Sequence, residues 1–130
     1  MTGMLPNFHD GHFDGLWRGP NKLAKLFLRT VDQKSFSLEL EGVQRLALTE
    51  VKEENIILDL VLRSADTLTS TDIESAYGLE AGSAQIQRAL AAAKEEQLQI
   101  LEINPSYGAE GTILFKAWKL APRLPQSRQA

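Results

Sequence analysis

The feature that most constrains the fold is a two-residue alternation of large apolar side chains. It runs through Ser35–Glu41 and again through Asn55–Arg63. Successive side chains of a β-strand point to opposite faces, so the pattern predicts strands with one buried face. The second segment also carries Ile57 and Val61 on its other face, which predicts a central strand. The residues of these segments predicted to be buried are Phe36, Leu38, Leu40, Ile56, Leu58, Leu60 and Leu62.

The middle of the chain changes to the periodicity of helices. Thr71–Glu74 matches a capping box, in which the Thr hydroxyl and the Glu carboxylate each accept a hydrogen bond from a backbone N–H, and Gly78 is suited to end the helix. Ser83–Gln97 is rich in Ala, Gln, Glu and Lys. It predicts a longer helix with Ile86 and Leu90 on its buried face.

Two strands are predicted to close the fold, Gln99–Ile103 and Thr112–Leu120, with Trp118 in the core. Together with the strands of the first half they predict an α+β fold, in which a mainly antiparallel sheet of about five to seven strands packs with one long and one short helix. A chain of 130 residues without internal repeats fits a single domain, assigned to residues 1–122. Residues 123–130 lack apolar periodicity and are predicted to be a mobile tail.

Composition narrows the functional classes. The chain has no cysteine, which excludes thiol catalysis, disulfides and cysteine–metal sites. A formal charge of −3 disfavours a general binder of polyanions. No apolar run approaches the roughly 20 residues of a membrane-spanning helix. Met1–Pro6 lacks the form of a secretory signal. The expected location is therefore the cytoplasm, with no membrane partner and no cofactor.

Both histidines lie close together near the start of the chain, within a segment that also holds two aspartates. In an extended strand Asp10, His12 and Asp14 share one face, and His9 points to the other. Phe13 and Trp17 are then predicted to pack beneath the strand. The four polar residues are the candidate binding residues of the sequence.

A metal site in this segment is the less favoured interpretation. Alternate strand residues are about 6.5–7 Å apart, which is wide for ligands of one ion. A calcium loop beginning at Asp10 would need a glutamate at its twelfth position, where the chain has Asn21. No metal ligand is assigned, and a metal-dependent activity at His9–Asp14 is kept as an alternative.

The sequence holds no motif typical of catalysis. The Gly-x-Ser-x-Gly pattern of serine hydrolases is absent, and the carboxylates show no spacing that forces a pair into one cleft. The spacing of Gly108 and Gly111 within Pro105–Gly111 predicts a hairpin loop rather than a phosphate-binding loop. No catalytic residue is assigned, and a non-enzymatic role is favoured. Active sites assembled from distant positions leave no motif, so the enzyme class stays open.

The order of two helices within 71–97 followed by a hairpin is similar to a winged helix-turn-helix. In that interpretation Gln85, Gln87 and Arg88 would read base edges in the major groove. Between Thr67 and Gln97, however, acidic side chains outnumber basic ones by five to two, the reverse of what a DNA-reading module needs. A nucleic-acid-binding regulator is therefore an alternative, disfavoured by charge.

Three short motifs carry a family resemblance. The opening Asn7-Phe8-His9-Asp10-Gly11 resembles the Phe-His-Asp motif that begins some small bacterial immunity proteins of polymorphic toxin systems. Residues 41–48 followed by 54–60 are similar to that family's rhythm G-V-x-x-L-x-L … N-V-I-x-x-L, and 106–108 to a Tyr-Gly near its final strands. The family has Ala where this chain has Gly11.

The resemblance covers the first half of the chain and the final hairpin, and the helices within 71–97 match no part of it. It implies a sheet-rich scaffold that binds and neutralises a toxin protein without catalysis. It supplies no binding residues. The function predicted from the sequence is accordingly a non-enzymatic, immunity-like protein-binding module.

Overall fold

The structure, a computed structural model, describes residues 5–80 and 82–123. Within these residues the chain forms eight antiparallel strands, two α-helices and one 3₁₀ turn. The strands are β1 (His12–Arg18), β2 (Ala24–Arg29), β3 (Ser35–Glu41), β4 (Arg45–Thr49), β5 (Ile56–Arg63), β6 (Gln99–Tyr107), β7 (Glu110–Phe115) and β8 (Ala117–Pro122). The 3₁₀ turn is Ala65–Thr67, and the helices are α1 (Ser70–Tyr77) and α2 (Ala84–Glu95). Neither helix combines the length and the apolar character that crossing a membrane requires.

The sheet curls round so that each end strand follows directly in the chain from the strand next to the opposite end. Its strand order is β4-β7-β6-β5-β1-β2-β3-β8. Only residues 42–44 separate β3 from β4, and only Lys116 separates β7 from β8. At this corner the Lys116 N–H donates to the Glu41 carbonyl and the Gln44 N–H donates to the Leu114 carbonyl, both at 2.8 Å. Gly42 turns the chain there with a φ of 66°. The curled sheet therefore encloses one apolar interior.

Two buried clusters share the strands β6 and β7. Leu101 and Ile113 point into the curled sheet, whereas their neighbours Ile100 and Leu114 point outward to the helices. Both strands are thus buried on both faces at these positions, where their sequences are continuously apolar: Ile100-Leu101 in β6 and Ile113-Leu114-Phe115 in β7. The fully buried residues of the interior cluster include Leu26, Leu28, Leu38, Leu40, Ile57, Ile103 and Phe115. Those under the helices include Ile73 and Ile86.

The α+β class and the two helices of unequal length are confirmed. The strand number is eight rather than five to seven, because the predicted strand 112–120 is two strands that bend at Lys116. The loop between β6 and β7 is shorter than the predicted Pro105–Gly111, since only Gly108 and Ala109 lie between the strands.

The start of the first helix differs from the predicted capping box. Thr69, not Thr71, is the N-cap: its hydroxyl accepts from the Asp72 N–H, and the Asp72 carboxylate accepts from the Thr69 N–H. The motif is the same one two residues earlier, with aspartate in place of glutamate. Gly78 ends the helix in the left-handed conformation, as predicted.

Most predicted core residues face the core, but Leu58 does not. Its side chain is 45% exposed, whereas its neighbour Ile57 is 1% exposed. The register between β5 and β6 shifts twice between Ile56 and Asp59, so Leu58 has no partner on β6 and the alternation is interrupted there. Trp17 is also wrongly predicted, since 42% of it is exposed. The predicted core residues that are buried or packed against the two clusters are Phe36, Leu38, Leu40, Leu60, Leu62, Ile86, Leu90 and Trp118.

The predicted tail begins one residue too early. The Arg123 N–H donates to the Ser35 carbonyl at 2.8 Å, so Arg123 continues the pairing of β8 with β3. Residues 124–130 of the predicted tail lie outside the described residues.

Candidate functional site

The first two candidate residues lie in a tight turn, not on a strand. The Gly11 N–H donates to the Phe8 carbonyl at 2.8 Å, and Asp10 adopts a φ of 62°. The turn is fastened to β5, because the Asp10 N–H donates to the Ile57 carbonyl and Gly11 accepts from the Ile57 N–H. The single strand face predicted for Asp10, His12 and Asp14 is therefore wrong at Asp10.

Gly11 is held against the backbone of β2. A Cβ at this position would lie 2.2 Å from the Arg29 carbonyl oxygen and 2.9 Å from that of Phe8. Such distances are far below van der Waals contact. The alanine found here in the immunity proteins that the opening motif resembles would not fit this backbone.

His9 and Asp10 occupy the tip of the turn, and both side chains are more than half exposed. The His9 Nδ1 lies 2.7 Å from the Leu58 carbonyl, to which it donates, and its Nε2 lies 3.5 Å from the Asp10 carboxylate. The histidine therefore caps the bulged start of β5. The Nδ1 atom of His9 is therefore engaged in a structural hydrogen bond.

His12 and Asp14 share a small hollow of about 180 Å³ with Arg29 and the loop 51–55. The His12 Nε2 lies 3.8 Å from the Glu54 carboxylate, and its Nδ1 is buried without a hydrogen-bond partner among the described residues. Asp14 accepts two hydrogen bonds from Arg29, at 2.7 and 2.9 Å. The bond with Asp14 raises the pKa of Arg29 above its usual value. The structure thus separates these two residues from His9 and Asp10.

Asn55 holds the floor of this region together. Its side-chain oxygen accepts from the Lys52 N–H at 2.8 Å and from the Ala109 N–H at 2.9 Å, and its Nδ2 donates to the Lys52 carbonyl at 3.0 Å. The Phe13 N–H donates to the Asn55 carbonyl at 3.0 Å. The residue is only 6% exposed. One neutral amide therefore joins the 51–54 loop, β1 and the β6–β7 turn, which we call the Asn55 junction.

The loop above this junction presents a face that we call the 51–54 face: Val51, Lys52, Glu53, Glu54 and Tyr107, which line one shallow open hollow. Val51 is 56% exposed and Tyr107 is 55% exposed. Lys52 lies 3.6 Å from the carboxylate of Glu50. The face therefore combines two exposed apolar side chains with carboxylates on a loop of fixed shape.

A charged counterpart lies at the other end of β5. Arg63 donates to Asp72 at 2.5 Å, to Glu102 at 2.6 Å and to the Thr67 carbonyl at 3.0 Å. It thereby ties β5 and β6 to the start of α1, and we call this the Arg63 junction. Burial disfavours the charged form of Asp72, but the hydrogen bonds from Arg63 and Thr69 outweigh it and hold the pKa of Asp72 below its ordinary value.

The described residues contain no group of three His, Asp or Glu side chains close enough to hold a metal ion. Asp14 is engaged by Arg29, and His12 and Glu54 make only a loose pair.

Sequence reasoning missed the 51–54 face. Glu53 and Glu54 directly precede the predicted strand 55–63 and are assigned no role, and Tyr107 lies in the predicted hairpin loop. The one local signal was the Glu-Glu-Asn order directly before the strongest strand. No local sequence pattern predicts that Tyr107, more than fifty positions later, lines the same hollow.

Comparisons of the chain with protein-family models, with curated proteins and with solved structures found no match. The likeness to immunity proteins stays a prediction, and any functional proposal depends on the geometry.

Proposed function

We propose that this protein is a non-catalytic, immunity-like protein-binding module that holds its partner on the 51–54 face. The observation that carries the proposal is the joint exposure of Val51 and Tyr107 beside the carboxylates of Glu53 and Glu54. Exposed apolar groups rimmed by polar ones are typical of interaction sites. Tyrosine is among the residues that contribute most to binding when an interface buries it.

The loop is suited to binding because it is fixed before a partner arrives. The Asn55 amide closes it from Lys52 onward and anchors it to Ala109. A loop that is already ordered loses little conformational entropy on association, so more of the contact energy remains as affinity. The His9 turn lies on the neighbouring part of β5, where Leu58 adds another exposed apolar side chain.

Affinity capture tests the proposal, with the full chain as bait in extracts of its native cells. The test variant is Val51→Ser/Tyr107→Ser. The control is Trp17→Ser, because Trp17 is 42% exposed and lies near the Arg18 end of β1, the opposite end from His12, which pairs with Ile56 beside the 51–54 face. We expect one protein to be retained by the wild type and the control and lost with the double variant. Equal retention by all three, or no retained protein, would refute the proposal.

No observation favours the two alternatives predicted from the sequence, nucleic-acid binding and a metal-dependent activity. Gln85, Gln87 and Arg88 are exposed on α2, but a strand precedes the helix pair where a supporting helix is usual. A metal-dependent activity at His9–Asp14 has no ligand set among the described residues. Both remain predictions.

A further inference from the structure

We infer that the partner presents an arginine or lysine side chain to the 51–54 face, lying on the ring of Tyr107 and pairing with Glu53 and Glu54. This inference rests on the proposed function and adds the chemistry of the partner segment. It follows from two independent features of the face: its carboxylates lack close lysine or arginine partners, and the ring of Tyr107 lacks a cation, among the described residues.

The carboxylates of the face form no close ion pair with a lysine or arginine of the described residues. Within residues 5–80 and 82–123, Glu53 makes no salt bridge, and the closest basic group to Glu54 is His12 at 3.8 Å. The local cation, Lys52, lies beside Glu50. By contrast, Arg29 pairs with Asp14 and Lys119 pairs with Glu39. The face therefore keeps negative charge available for a ligand.

The ring of Tyr107 likewise has no cation of the described residues lying on it. Three other rings of the described chain each carry a cation from the chain: Lys25 lies 5.3 Å from the ring centre of Trp17, Arg45 lies 4.8 Å from that of Tyr77, and Arg123 lies 4.5 Å from that of Phe27. Tyr107 is the most exposed aromatic residue among the described ones and has no such partner there.

A cation from outside satisfies both features at once. A guanidinium or ammonium group over an aromatic face is attracted by the ring quadrupole, and neighbouring carboxylates strengthen the attraction. Negative charge on the face would also speed the encounter with a basic protein. An acidic partner segment would be repelled at the same place.

The test is a titration of the ¹⁵N-labelled full chain with a hexa-arginine peptide, followed by NMR chemical shifts. We expect saturable shifts at residues 51–54 and Tyr107. Replacing both carboxylates, Glu53→Gln/Glu54→Gln, should weaken binding about three- to tenfold. Tyr107→Leu, which keeps an apolar side chain, should weaken it about two- to fivefold.

The matched control is Glu95→Gln/Glu96→Gln, an exposed glutamate pair at the end of α2 that changes the net charge by the same amount. It should alter affinity by less than about twofold. Equal weakening by the two double variants would show attraction to net charge only and would overturn the inference. Shifts scattered over the surface would overturn it as well.

The proposed function and this inference can fail separately. If a partner is captured through Val51 and Tyr107 but binds Glu53→Gln/Glu54→Gln as tightly as wild type, the protein-binding role stands and the cationic contact is wrong. If hexa-arginine localises to the face but no protein is captured, the cation site stands and the protein-binding role is wrong.

Discussion

The two ends of β5 are fastened in opposite ways. The Asn55 junction precedes the strand and uses a buried neutral amide that hydrogen-bonds to backbone groups. The Arg63 junction ends it and uses a guanidinium between two carboxylates. At the first end Glu53 and Glu54 make no close ion pair with a lysine or arginine of the described residues. At the second end Asp72 and Glu102 bind Arg63 and so hold α1 and β6 in place.

The difference indicates where the chain can present charge to a partner. A carboxylate engaged by a buried or half-buried arginine is costly to withdraw, since its removal leaves the other charge unpaired. Glu53 and Glu54 can change partners without disturbing the fold, because Asn55 fixes their loop through neutral bonds. The comparison therefore favours the Asn55 end as the binding end.

The largest effect is expected from closing the small space at Gly11. Gly11→Ala places a Cβ against the Arg29 carbonyl, which is fixed within β2, and against the Phe8 carbonyl of the turn, and should lower the free energy of unfolding by about 3 kcal/mol or more. Gly15→Ala is the control, because a Cβ there would meet only the Phe27 ring, at 3.7 Å. Urea denaturation followed by tryptophan fluorescence measures both. A tolerated Gly11→Ala would contradict the close packing of this end.

Removing the amide of the Asn55 junction should come next. Asn55→Ala leaves the buried Ala109 N–H and the Lys52 N–H without acceptors, at a cost of about 2–3 kcal/mol. Asn104→Ala removes an amide that bonds the exposed Asp59, and should cost under about 0.5 kcal/mol. Chemical denaturation of the two variants gives the comparison. Similar losses of unfolding free energy in the two variants would mean that the Asn55 junction contributes no more to stability than an exposed amide.

Breaking the Arg63 junction should cost less, because its groups are partly solvated. Arg63→Met keeps an apolar stem and leaves Asp72 and Glu102 without their cation, which should lower stability by about 1–2 kcal/mol at neutral pH. Thermal melts followed by circular dichroism measure the loss. An unchanged melting temperature would show that the ion pairs contribute nothing net.

The two junctions should also differ in their response to acid. The pKa of Asp72 is lowered in the folded state, so its contribution to stability is fully present above its unfolded pKa of roughly 4 and is lost as pH falls through the lower folded value. Wild type should therefore lose stability below about pH 4 more steeply than Asp72→Asn. Denaturation curves between pH 2 and pH 7 test this, and parallel curves would contradict it.

The smallest effect is expected from the glutamates of the binding end. Glu53→Gln/Glu54→Gln should change the free energy of unfolding by less than about 0.5 kcal/mol, because neither carboxylate holds a structural contact closer than the 3.8 Å pair with His12. The same denaturation assay measures it. A loss of unfolding free energy as large as that of Arg63→Met would contradict the proposal that only the carboxylates of the Arg63 junction stabilise the fold.

Local pattern was enough to predict the fold class. Leu38 and Leu40 are fully buried as their alternation indicates, and Gly78 ends α1 as its position indicates. The pattern failed where the chain departs from a regular repeat. Leu58 follows the same alternation, but a bulge turns it to solvent, and the bulge depends on the pairing of β5 with a strand some forty residues later.

The site was less predictable for the same reason. His9, Asp10, His12 and Asp14 attracted attention because they are neighbours in sequence, yet the structure sends them to two different surroundings. The 51–54 face depends on Tyr107 approaching a loop far away along the chain. Such proximity follows from strand pairing and leaves no trace in local composition.

The covalent corner at Lys116 has a consequence for how the chain reaches its native state. β3 pairs with β8, whose partner residues lie 76 (Glu41 to Ala117) to 86 (Phe36 to Pro122) positions later, so the curled sheet closes only after almost the whole described chain is present. Contacts of such long sequence separation slow folding. During synthesis the outer edge of β3 stays unpaired until β8 has left the ribosome. That edge is the stage at which we expect the growing chain to depend most on protection from aggregation.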